Sequence, residues 1–178
     1  MPLQSWEAVL NVPAEGAGSA LANTTTITDI SPAPQLTLPA GYLYIGQRIR
    51  VVGYGIFSTS GTPNLTLGIY YGGVAGTLLA GTGTVATASG AASTPWRIQL
   101  EIRVVTLGSS GTVWCNGLCT SPASTLTVPP LLWIPNSQTQ PITINTTTAN
   151  ALTVGATWGT ASSSNTITCE DFYVEAIS

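Results

Sequence analysis

The chain has 178 residues, 44% of them hydrophobic and only 6% charged, with no Lys, no His and a formal charge of −3. That length supports one sizeable core, and Thr, Ser, Gly and Asn replace the missing charge, so the surface is polar but largely neutral. Nucleic acid and anionic membrane are not expected partners, because both demand clustered cations, and no run reaches the ~18 apolar residues of a membrane-spanning helix.

Residues 1–34 read as an extended N-terminal arm. Pro2, Pro13, Pro32 and Pro34 interrupt it, and no alternation is sustained. Trp6, Val9, Leu10 and Val12 are too apolar for a solvated tail, so part of the arm is expected to dock on its own domain or on a partner. No basic stretch precedes a hydrophobic run at the start, so the expectation is a protein of cytosolic origin. Three cysteines, Cys115, Cys119 and Cys169, cannot all pair within one chain, which fits a reducing compartment.

From residue 35 onward the period is two. In "RIRVVGYGIFS" Ile49, Val51 and Phe57 are in phase with Gly53 and Gly55, while Tyr54 and Ile56 point the other way. Glycines inside a strand mark a bulge, a bend or a close backbone approach. "NLTLGIYYGG" and "TLLAGTGTVATA" follow, and then "PWRIQLEIRVVTLG". In that run Trp96, Ile98, Leu100, Ile102 and Val104 share one face, and Arg97, Gln99, Glu101 and Arg103 share the other. "GTVWCNGLC", "STLTV", "LLWIP", "PITIN", "NALTVGATWG" and "TITCEDFYVEAI" complete the series, separated by clusters of Gly, Pro, Ser and Asn. Trp158 is in phase with Leu152, Val154 and Ala156 on an inward face. The reading is an all-β protein, an antiparallel β-sandwich over residues 35–178, with about 8–10 strands arranged as a jelly roll.

Chemistry is thinly represented. Without His, the ordinary serine and cysteine hydrolase arrangements are excluded. Cys115 and Cys119 lie ~13 Å apart if the strand is regular, too far for one metal ion or one disulfide unless Gly117 turns the chain. On the last strand Asp171 and Glu175 share a face and Glu170 takes the other. They read as solvated charges on an edge strand, where they discourage edge-to-edge pairing. No catalytic residue, metal ligand or cofactor is assigned. Tyr70 and Tyr71 are the glycan-contact candidates, since adjacent strand residues cannot both face the core. The sequons at Asn23, Asn64 and Asn145 are expected by chance in a chain this rich in Thr and Asn.

The segments "GTPNLTLGIYYGG", "TLLAGTGTVATA", "PWRIQLEIRVVTLGSSGTV" and "NTTTANALTVGATWGTASSSNTITCEDFYVEAI" carry a family likeness. From about Tyr42 to Ser178 the chain resembles jelly-roll domains of tailed-bacteriophage and prophage structural proteins. The resemblance implies a non-enzymatic virion component made in the bacterial host cytoplasm, commonly a homotrimer, attached to capsid or tail. The expectation chosen is a capsid decoration (cement or minor capsid) protein on the outer surface of the assembled head, with the major capsid protein as partner. Trp6, Val9, Leu10 and Val12 are then the capsid-contact candidates. The alternative is a tail-tip or fibre module that recognises host glycans. A polysaccharide-cleaving enzyme is the third reading and lacks a persuasive carboxylate pair.

Overall fold

A computed structural model of the chain describes residues 7–10, 16–120, 131–135 and 138–177, and these form strands and connections without a helix. In chain order the strands are β1 (Glu7–Val9), β2 (Leu21–Ala22), β3 (Thr28–Asp29), β4 (Thr37–Leu38), β5 (Arg48–Ser58), β6 (Asn64–Tyr71) and β7 (Thr77–Gly81). They continue with β8 (Val85–Ala86), β9 (Thr94–Thr106), β10 (Gly111–Thr120), β11 (Leu131–Ile134), β12 (Ile142–Ile144), β13 (Asn150–Trp158) and β14 (Thr166–Ile177). Trp6, Val12 and the expected strand "STLTV" lie outside the described residues.

The strands form two antiparallel sheets packed as a sandwich. The larger runs β1-β14-β5-β9-β10-β11, with β12 also on β10 and β2 also on β14; the smaller runs β3-β13-β6-β7, with β4 on β13 and β8 on β6. The early long strands pair with the last ones in nested fashion, β5 with β14 in one sheet and β6 with β13 in the other. Inside that nesting β6–β7 and β9–β10 pair as local antiparallel hairpins, which completes an antiparallel β-sandwich.

Alternation explains the core. Trp96, Ile98, Leu100, Ile102 and Val104 of β9 are all buried, as are Leu152, Val154, Ala156 and Trp158 of β13, and Ile49, Val51 and Phe57 of β5. Each of the larger aliphatic and Phe side chains among them contributes about 1.5–3 kcal/mol on leaving water. The segment read as an arm, where described, is laid along the sandwich: β1 and β2 pair with β14, β3 pairs with β13, and Leu21 and Ile30 enter the core.

Three local expectations are corrected. "TLLAGTGTVATA" is two strands, because the buried Thr82 hydroxyl accepts from the Leu67 backbone N–H at 3.0 Å and takes the chain off the ladder before β8 rejoins at Asn64 and Leu65. The last strand is no edge: β14 lies between β1 and β5, so its carboxylates do not guard an open ladder. A register shift between Cys169 and Asp171 also breaks the alternation, so that Ile167 and Cys169 face inward before it and Phe172 and Val174 after it. Glu170 is therefore left exposed at the bulge and does not point to the face opposite Asp171.

Candidate functional site

The groups that sequence reading raised for chemistry are mostly spent on structure. Cys115 and Cys119 both face the core from β10, whose pairing runs unbroken through Gly117 opposite Leu100, so that glycine makes no turn between them. Burial pushes the thiols of Cys115, Cys119 and Cys169 up to about 12. Among the described residues no group of three or more His, Cys, Asp or Glu side chains is placed to hold a metal ion. Glu175 and Glu101 flank Arg50 at 3.3 and 3.6 Å, Asp171 accepts from the Tyr54 hydroxyl at 3.0 Å, and Asp29 accepts from the Ser31 backbone and the Gln35 amide. The bond to Asp171 raises the Tyr54 pKa, since the nearby carboxylate disfavours a phenolate.

The tyrosine pair separates as adjacent strand residues must. Tyr71 is in the core, its hydroxyl donating to the Asn145 carbonyl at 3.1 Å, and offers no ring face to a sugar. Tyr70 lies on the outside of the small sheet across two glycines: a Cβ on Gly68 or Gly155 would come within 3.0 or 2.8 Å of its Cε2. Of the arm candidates with described side chains, Leu10 packs against the core and Val9 is exposed at the sheet edge opposite Glu175.

Charge is sorted by face. Arg48, Arg50, Arg97 and Arg103 alternate with buried residues along β5 and β9, and so lie on the outer face of the large sheet with Glu101, Asp171 and Glu175. Cross-strand register arranges this face in rows. Trp114, Arg103 and Arg48 form one; Asn116, Glu101, Arg50 and Glu175 form the next; Leu118, Gln99, Val52 and Tyr173 form the third. Trp114 is 49% exposed. A groove of about 220 Å³ lies among Arg48, Glu101, Arg103, Trp114 and Asn116, and a second of about 210 Å³ continues along Gln99, Glu101, Asn116 and Leu118.

One end of the sandwich instead gathers exposed apolar side chains. The turn Tyr44–Gln47 closes by a bond from the Gln47 N–H to the Tyr44 carbonyl at 3.1 Å, and the Gln47 side-chain oxygen accepts from the Tyr44 N–H at 3.1 Å. Gly46 takes φ +88°, which the third position of such a turn requires and a side chain would resist. Gly46 and Gln47 also bond to Val104 of β9, so the turn is fixed to the large sheet. It presents Ile45 at 65% exposure and Tyr44 at 53%, and Leu107 stands exposed in the β9–β10 turn. A hollow of about 460 Å³ at the same end is lined by Ala40, Gly41, Leu43, Leu107, Gly108, Thr146 and Thr147. Sequence reading passed over this feature because "GYLYIGQ" belongs to no strand pattern; its signal is an apolar run held between two glycines.

No protein-family model, no curated protein and no solved structure matches the chain. The fold and the two surfaces therefore carry the functional reading.

Proposed function

We propose that the protein is a bacteriophage virion structural subunit, a capsid decoration protein that docks on the outer surface of the assembled head. The observation that carries this reading is the rigid apolar end. Exposed large side chains on a braced turn beside a hollow mark a protein-docking surface, and pre-ordering lowers the entropy lost on docking. The partners on this reading are the major capsid protein and further copies of the chain. A surface with few charges suits both, since like charges brought together in a symmetric array are costly. The subunit acts by linkage: binding only the assembled shell, it raises the free energy of every state in which the shell comes apart. Val9 at the sheet edge is a second contact candidate, whereas Leu10 is occupied by the core.

The test is occupancy. Purified protein is mixed with undecorated heads, and bound copies are counted by electron microscopy and by gel densitometry of sedimented particles. Ile45→Asp leaves the fold intact, because the side chain is exposed, and is expected to weaken attachment at least about tenfold. Normal occupancy of the variant, or antibody label confined to the tail tip of virions, refutes the reading. The second outcome would favour a host-recognition module, for which the exposed Trp114 beside the arginine groove is the supporting observation.

A further inference from the structure

Arg48 and Arg103 face each other directly across β5 and β9 on the outer face of the large sheet. Among the described residues neither forms an ion pair with a carboxylate. Like charges opposite one another on a sheet are unfavourable, so the fold maintains a positive spot that a bound anion would relieve. Glu101 lines the same groove but is engaged by Arg50 at 3.6 Å. Beside this pair, opposite Arg103, stands Trp114, half exposed on a rigid strand. The amide of Asn116 follows in the next row, and the adjoining groove brings in Gln99.

We infer that this groove binds a sugar ring bearing a carboxylate, as part of an acidic polysaccharide. Trp114 takes the apolar face of the ring, Arg103 and Arg48 take the carboxylate in charge-assisted bonds, and Asn116 serves the hydroxyls. The second groove, joined to the first at Glu101 and Asn116, receives a neighbouring ring. A neutral sugar leaves the facing guanidinium groups uncompensated. An acidic peptide is disfavoured by position: extended peptides gain most of their affinity by pairing with an open sheet edge, and β10 lacks a strand on its outer side only over Trp114–Asn116, between β12 and β11, where the Cys115 N–H already donates to the Gln140 side chain at 3.0 Å. The inference stands independently of where the protein sits on a virion.

The experiment is isothermal titration of the full chain with a galacturonic acid trisaccharide, its neutral galactose counterpart and hexaglutamate. The trisaccharide acid is expected to bind with a Kd of about a millimolar or tighter, at least about tenfold better than the neutral sugar, and more weakly as salt rises. Arg103→Gln should reduce affinity for the acid about tenfold while leaving the weak neutral binding unchanged, and Trp114→Ala should remove binding to both. Both positions are exposed, and thermal melts equal to the parent's establish that the variants fold. Equal affinity for the neutral sugar, an unaffected Arg103→Gln variant, or absence of binding to the acid overturns the proposal. Hexaglutamate binding as tightly as the trisaccharide acid would overturn it in favour of a peptide.

Discussion

Gly53 and Gly55 are two residues apart on β5, both buried, both facing the core, and adding one methyl group to each should have opposite effects. At Gly55 the new Cβ would sit 1.9 Å from the Thr168 carbonyl oxygen and 2.9 Å from Cys169 Cα, both backbone atoms of β14 just before its bulge. No rotamer change relieves that clash, so β14 must retreat by roughly an ångström. One or two ladder hydrogen bonds are lost at about 1 kcal/mol each, and the overpacked core adds about 1–3 kcal/mol. At Gly53 the methyl would instead meet Ile98, Phe172 and Trp96 at 3.4, 3.5 and 3.8 Å, ordinary contact with side chains. Gly53→Ala should therefore stabilise by about 0.5 kcal/mol through the restricted unfolded chain and the added contact, whereas Gly55→Ala should destabilise by about 3 kcal/mol. Urea unfolding followed by tryptophan fluorescence separates the two by midpoint at constant slope. If Gly55→Ala unfolds within about 0.5 kcal/mol of the parent, or Gly53→Ala costs as much as Gly55→Ala, the close-approach argument is wrong.

The three thiols ionise near 9.0 when unfolded and only at about 12 when buried, so above pH 9 the unfolded chain releases protons that the folded chain keeps. Their contribution is constant below that pH and is lost as pH rises toward 12, at about 1.4 kcal/mol per unit for each thiol; urea midpoints at pH 7 and pH 10.5 measure it, and unchanged midpoints refute it. At pH 8 the folded protein should also resist alkylation by iodoacetamide until denatured. The two buried tryptophans should differ under truncation. Trp96 donates from Nε1 to the Thr168 carbonyl at 3.2 Å, while Trp158 Nε1 is buried without a partner. Trp96→Phe should cost about 2 kcal/mol, and Trp158→Phe about 1 kcal/mol less because an orphan donor is removed with the ring edge; equal losses in thermal or urea unfolding would contradict this.

The alternating segments were legible at the level of residues because side chains on a strand alternate whatever the strand pairs with. "RIRVVGYGIFS" and "TITCEDFYVEAI" coincide with β5 and β14, and the buried faces of β9 and β13 are those their period two predicts. The all-β sandwich followed from that local regularity and from the turn residues between runs. Which strand lies beside which is set by contacts far apart in sequence, and so only the tertiary structure decided it. It enclosed β14 between β1 and β5, where its charges had suggested an edge. The bulge beyond Cys169 turned Phe172 and Val174 inward and left Glu170 outside. Partner backbone assigned different roles to two glycines that look alike in the chain. The outer-face groove and the apolar end have the same origin: Arg48 is distant in sequence from the hairpin that carries Arg103 and Trp114, as Ile45 is from Leu107, and they meet only through strand register and the closing of turns.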